Sequence, residues 1–240
     1  MNKYGIFSLK FIVFSLILAF SVVLLSLKNI KLFVPVTGYS NTEEIEVNFI
    51  IDPGHGGEDG GANANGVTEK DINLAISSYL YHYLCLSKHN THMTRNDDRL
   101  LYNAGEENRK KYHDLKNRVE FTSSFDNAVF ISIHQNKFEI PKYKGLQVYY
   151  SPNNSLSESL AKRVQDNTKL FIDTQNNREI KKADNKIRVL NSLKVPAVLV
   201  ECGFLSNSEE AARLSDTEYQ KKLAFVIFIS ALQFFEENGV

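Results

Sequence analysis

Two histidines and two glutamates are placed where their side chains could work on one substrate. His55 sits in IIDPGHGGEDGG (50–61), Glu69 follows fourteen residues later, His134 closes AVFISIH (128–134), and Glu201 follows PAVLV (196–200). Zinc takes imidazole nitrogen and carboxylate oxygen, and a catalytic site uses three such ligands with a fourth place left for water or substrate. His55, Glu69 and His134 can supply the three. Zinc so held polarises a carbonyl and lowers the pKa of water toward about 7. A carboxylate that is not a ligand must then carry the water proton to the leaving group. Glu201 fits, because its place after AVLV predicts a desolvated carboxylate with raised proton affinity. A single histidine at a strand end is more often structural, so the reading rests on the set of four. The glycine-rich loop could instead cradle a phosphate, but it has neither the GxxxxGK[ST] nor the GxGxxG pattern. His82, His89, His92 and His113 read as surface or packing residues. Glu58 and Asp59 read as solvated loop charges, and Glu209 and Glu210 as the acidic first turn of a helix.

The elements that must position these residues alternate along the chain. Apolar runs predict strands over 47–51, 91–95, 128–133, 145–150 and 197–200. Helical spacing predicts helices over 69–86, 156–172, 208–214 and 216–235, with a further one ending near Ser124 and Thr68 as N-cap of the first. Such alternation predicts one α/β domain, its sheet mostly parallel and covered on both faces. Ligands of open α/β sheets bind beyond the carboxyl ends of the strands. His55, His134 and Glu201 stand at such ends, and Glu69 opens the helix after the first strand. Cys85 and Cys202 lack zinc-type spacing and read as two buried free thiols.

Lys plus Arg and Asp plus Glu both number 28, and this neutrality argues against a nucleic-acid binder. The charge is uneven: residues 1–40 hold four Lys and no acid. Within them, FIVFSLILAFSVVLLSL (11–27) is uncharged and, as a helix, would span about 26 Å, close to the hydrocarbon thickness. Residues 1–28 therefore read as an N-terminal hydrophobic helix, an uncleaved signal-anchor in preference to a cleaved signal peptide. Residues 29–45 read as a linker and 46–240 as the catalytic domain, outside the cytoplasm.

Five segments together resemble the zinc-dependent N-acetylmuramoyl-L-alanine amidases of bacterial cell walls. They are IIDPGHGGEDGGANANGVTEKDINLAIS (50–77), THMTRNDD (91–98), NAVFISIHQN (127–136), GLQVYYS (145–151) and VPAVLVECGFLSNSEEAARL (195–214). The resemblance implies a six-stranded, mostly parallel sheet with one zinc ion on His55, Glu69 and His134. It places the catalytic glutamate on Glu201. It implies hydrolysis of the amide between the lactyl group of N-acetylmuramic acid and L-alanine, with peptidoglycan as substrate. ECGFLSN and the single-domain layout look most like the sporulation branch, whose members trim stem peptides so that muramic-δ-lactam forms in spore cortex. That branch would place the chain between forespore and mother cell. Gln135 departs from the alanine often found after the second histidine. Asn136 is expected to orient a ligand or the substrate, and Arg178 to meet a stem-peptide carboxylate.

Three rival readings differ in their demands. A vegetative wall amidase would share every site residue. A non-catalytic, membrane-tethered wall-binding module predicts loss of one of the four, and none is lost. Zinc carboxypeptidases and deacylases on other amides typically pair His and Glu in a short His-x-x-Glu step, unlike the spacing here. Between His134 and Glu201 the sequence offers no spare apolar segment to plug the site, so restraint is expected from outside the chain, first from a separate activating protein.

Overall fold

The computed structural model describes residues 46–238. The hydrophobic segment 1–28 and the linker 29–45 lie outside the described residues. Among the described residues no helix is long and apolar enough to cross a membrane.

The chain runs β1 (Asn48–Pro53), β2 (Asn63–Ala64), β3 (Val67–Thr68), α1 (Glu69–Leu86), β4 (Asn90–Met93), α2 (Lys110–Ser123) and β5 (Ala128–Asn136). It continues through β6 (Gln147–Tyr150), α3 (Leu156–Phe171), β7 (Lys181–Lys182), α4 (Arg188–Ser192), β8 (Ala197–Phe204), α5 (Ser208–Ser215) and α6 (Thr217–Asn238). Six strands form one sheet in the order β4-β1-β5-β8-β6-β7. β4, β1, β5 and β8 pair in parallel, β6 pairs with β8 antiparallel, and β7 pairs parallel to β6. The mostly parallel sheet expected from the alternation is therefore present.

β1 and β5 are apolar without alternation because both faces are covered. On one face Phe49, Ile51, Val129, Ile131, Ile133, Val198 and Val200 pack in one core cluster with residues of α1, α3 and α6. On the other, Ile50, Ala128, Phe130, Ala197 and Leu199 pack with residues of α2 and α4. Even-numbered residues of β5 and odd-numbered residues of β8 share this second face, as the two-residue period of a strand requires. His134 and Glu201 are therefore on the same side.

Three details differ from the sequence reading. Thr68 stands at the N-cap of α1, but its side chain caps nothing; the glycine-rich loop does so instead, with Ala62 and Gly60 carbonyls accepting from the Glu69 and Lys70 amides. Cys85 is exposed, because it lies off the buried stripe of Ile72, Ile76, Leu80 and Leu84, while Cys202 is buried. β2, β3, β7 and α4 escaped the pattern, each being too short for a periodicity to show.

Candidate active site

The site forms at the carboxyl end of the sheet, where β1 gives way to the glycine-rich loop. His55 takes a left-handed backbone (φ 60°) just past β1. Gly54 is needed beside it, because a Cβ there would lie 2.1 Å from His134 Nε2. Glu69, the first residue of α1, is only 3% exposed and reaches in from behind the loop. Its Oε1 lies 2.9 Å from His134 Nδ1 and 3.2 Å from His55 Nε2. It also accepts from the Gln135 amide at 3.1 Å, while Oε2 accepts from the Ala62 amide at 2.7 Å. Burial works against the charge of Glu69, but the two imidazoles outweigh it and hold the carboxyl far below the usual range.

Potential ligand atoms of His55, Glu69 and His134 all lie within 4.8 Å of one another. Two imidazole nitrogens and one carboxylate oxygen make the donor set of a catalytic zinc site. The outer ring nitrogen of His55, Nδ1, meets Asp59 Oδ2 at 3.0 Å. Histidines that hold zinc commonly give their second N–H to a carboxylate in this way. The residues present therefore fit zinc.

Glu201 sits beside this cluster. β8 runs on to Phe204, so Glu201 lies inside the strand and not at its end as the sequence reading had it. The ladder places Glu201 directly between His134 of β5 and Gln147 of β6. Its Oε2 is buried with no hydrogen-bond partner among the described residues. Burial pushes the carboxyl up to about 7, against the pull of His134. A carboxyl that titrates near neutrality can both accept and return a proton.

The wall behind His55 is built from buried charge. Arg118 is 2% exposed and Arg95 1%. Arg118 donates to the carbonyls of Pro53 (2.9 Å) and His55 (2.8 Å). Arg95 donates to those of Pro53 (3.0 Å) and Gly54 (3.0 Å). Asp52 and Asp114 neutralise Arg118 from two sides, and Thr94 and Ser132 donate to Asp52. The four residues singled out for chemistry thus come together. Asn136 and Arg178 do not join them; both line a neighbouring cavity of about 320 Å³.

Several site residues were misread or missed. Asp59 is no free loop charge, since it holds His55. Glu210 stands in the acidic first turn of α5 as expected, and beyond that it is buried and accepts from the Phe204 and Gly145 amides. Gln135, the departure next to His134, donates to Asn73 at 3.1 Å, and Asn73 in turn donates to the Gly54 carbonyl at 3.1 Å. Arg118 was missed, although Asp114, its partner, stands four residues earlier on the same helix.

Residues 49–230 match the protein family described as N-acetylmuramoyl-L-alanine amidase. The chain belongs to that family. It is 35% identical over 191 residues to the germination-specific N-acetylmuramoyl-L-alanine amidase of Bacillus subtilis (strain 168), covering 79% of this chain and 80% of that protein. It superimposes with a TM-score of 0.76 and 40% identity on the CwlD amidase from Clostridioides difficile, solved in complex with the GerS lipoprotein. That match covers 80% of this chain and 99% of the other. The amidase AmiC2 of Nostoc punctiforme gives 31% identity and a TM-score of 0.68, covering 80% and 98%. The chain is an amidase that hydrolyses the bond between N-acetylmuramic acid and L-alanine. Its family is generally zinc-dependent, and the His55, Glu69 and His134 cluster is where a metal ion would sit.

Proposed function

We propose that His55, Glu69 and His134 hold one zinc ion and that Glu201 is the general base and acid of the amidase. The observation that carries this reading is the buried, unpartnered oxygen of Glu201 beside the three clustered donors. When bound, zinc supplies Lewis acidity at the position left open by its three protein ligands. Glu201 takes a proton from water as the oxygen attacks the lactyl carbonyl carbon. The carbon–nitrogen bond then breaks, and Glu201 returns the proton to the departing alanine amine. Asp59 keeps His55 in the tautomer whose Nε2 faces the metal, and Gly54 leaves room for the His134 ring. Arg178 and Asn136, from the adjoining cavity, contact the substrate. The test is mass spectrometry of purified peptidoglycan after incubation with the zinc-loaded full chain. Stem peptides with a new N-terminal alanine are expected; cleavage at any other bond would defeat the reading.

The substrate setting is spore cortex, where removal of stem peptides precedes muramic-δ-lactam formation and hence germination. Similarity to a germination-specific amidase and to CwlD supports this. Residues 1–28 would anchor the chain to a membrane, 29–45 link it, and 46–240 act outside the cytoplasm, between forespore and mother cell. A separate protein controls activity, a reading supported by the complex in which the similar CwlD was solved. Assay on denuded peptidoglycan with and without such a lipoprotein tests it: full turnover by the zinc-loaded chain alone would remove the partner.

A further inference from the structure

We propose that the cavity on the β6 side of Glu201 receives the stem peptide, and that Arg178 and Lys181 there grip a carboxylate on the residue that follows L-alanine. The inference rests on the amidase reading above and adds to it the direction in which the substrate lies and a preference between substrates.

Two cavities flank Glu201 on one face of the sheet. One, of about 240 Å³, contains Glu201 and His134 together with Asp52, Asp59 and Asp114, and its charges are of mixed sign. The other, of about 320 Å³, is lined by Arg178 and Lys181, four aromatic rings, Asn136 and Gln147, with no carboxylate. An anionic segment is favoured in the second. The pairing carries the eye across the gap: His134, Glu201 and Gln147 stand in register on β5, β8 and β6. Residues directly opposite one another in adjacent strands share a face.

Arg178 is held for recognition. Its Nη1 donates to Gln147 Oε1 at 3.2 Å, and its Nε donates to the Lys144 carbonyl at 2.8 Å. Its guanidinium lies 4.5 Å from the centre of the Phe204 ring. Nη2 makes no hydrogen bond within the described residues, and Arg178 is among the residues that line the cavity. A planar cation fixed in one orientation loses little entropy on meeting a carboxylate and reads its geometry better than a mobile ammonium does. Lys181, exposed on the edge strand β7, adds a second positive charge to the same lining.

The lengths agree. Neighbouring strands lie about 4.8 Å apart, so Gln147 is one such step from Glu201 and the guanidinium lies beyond it. An extended chain covers about 3.5 Å per residue. From the scissile nitrogen, one alanine leads to the second residue of the stem peptide, so an acid there reaches Arg178. The alanine methyl needs no pocket of its own. The glycan then leaves by the mixed-charge cavity on the β1 side.

In peptidoglycans the second residue of the stem peptide occurs as an acid or as its carboxamide, and the pair makes the test. The zinc-loaded full chain would be assayed on N-acetylmuramoyl-L-alanyl-D-glutamate and on N-acetylmuramoyl-L-alanyl-D-isoglutamine, with the γ-carboxyl blocked as its methylamide in both so that only the α-carboxyl differs. Binding of the two product dipeptides would be measured by calorimetry on the same protein. We expect kcat/KM at least tenfold higher for the acid, and the acidic dipeptide bound at least tenfold more tightly. Arg178→Met should bring both ratios below threefold, and Arg178→Lys should keep part of the preference. A general structural defect would lower both substrates together and leave the ratios alone. Ratios near one in the unaltered chain, or unmoved by Arg178→Met, would overturn the subsite. Cleavage of neither substrate would count against the amidase reading, and the dipeptide affinities would still decide the subsite.

Discussion

The two walls of the site are built on opposite plans. On the β1 side, Arg118 and Arg95 are fully buried and donate to three successive carbonyls, those of Pro53, Gly54 and His55. On the β6 side, Arg178 is half-buried, Lys181 is exposed, and Phe138 and Tyr143 show rings to solvent at 49% and 39% exposure. The difference matches what each wall would do on the function proposed above. A metal ligand has to stand within a fraction of an ångström of its place, and a loop with left-handed φ at His55 does not hold itself there. A substrate wall has to admit and release a polymer, so its charges remain near water and gain strength only when the ligand covers them.

The largest effect should come from breaking the fixed wall at the proposed ligands themselves. His134→Ala or His55→Ala leaves two of three protein donors. We expect metal content, measured by atomic absorption after dialysis, to fall below a tenth of that of the unaltered chain and activity to vanish with it. Chelation should do the same reversibly, with turnover restored on adding zinc. Full occupancy in either variant would mean that the ligand set is wrong.

Glu201 stands on the seam between the walls, and its loss should come next. Glu201→Gln keeps the size and removes the proton acceptor. General acid–base groups contribute about 10²- to 10⁴-fold, so kcat should fall in that range while zinc content stays level. A loss of less than tenfold would remove Glu201 from the role.

Arg118→Met then sharpens the contrast between the walls. It leaves Asp52 and Asp114 buried without their cation, and breaking a buried pair in this way costs about 3–5 kcal/mol. It also takes the Arg118 donor from the His55 carbonyl and leaves the Pro53 carbonyl to Arg95 alone. Losses of this kind around a metal ligand, as His55 is proposed to be, weaken binding by about 10- to 100-fold. We expect a lower midpoint of chemical unfolding together with weaker zinc affinity in competition with a chelator. Arg178→Met, on the open wall, should change neither by a comparable amount. Acid should attack the same place in the unaltered chain. Burial alone would raise Asp52, but Arg118, Ser132 and Thr94 bring its carboxyl below the usual value. Its stabilising contribution is therefore present above the ordinary carboxylate range and lost as pH falls through the lowered value.

The same division governs what could be read from the sequence. β1, β5 and β8 announced themselves because strands buried on both faces are continuous apolar runs. His55, His134 and Glu201 could be placed because such strands set chemistry at one end of a sheet. Asp59 was read as solvated because a charge in a glycine-rich loop usually is, and only the fold of that loop turns it back onto His55. Arg95 and Arg118 were passed over because nothing in a polar segment marks a buried arginine until the carbonyls it serves are known. β7 and α4 were invisible at two and five residues, so the edge of the open wall beyond β6 could not be drawn, although the strand of β6 and Arg178 itself stood out. Arg178 and Asn136 came from separate stretches of sequence with no reason to be joined; the fold places both in one cavity.

The smallest effect concerns the seam without metal. Burial raises the Glu201 carboxyl from its ordinary value of 4.5 to about 7. A carboxyl raised on folding is comfortable while protonated, so it costs nothing below its unfolded pKa. As pH climbs from there through the folded value, the fold must either bind a proton that the unfolded chain releases or hold a buried charge. Stability of the zinc-free chain should therefore fall across that window, by about 3 kcal/mol at most from a shift of this size. Burial works against the charge of His55, but Glu69 and Asp59 outweigh it and raise the imidazole, which adds its own slope. Subtraction separates the two: Glu201→Gln keeps the His55 contribution and removes only that of the glutamate. Urea unfolding of both zinc-free proteins at pH 5 and pH 8 should show the variant gaining on the parent at the higher pH. Equal changes in both would mean that Glu201 is charged at little cost, solvated from the open wall, and that the boundary between the two plans lies on the other side of β8.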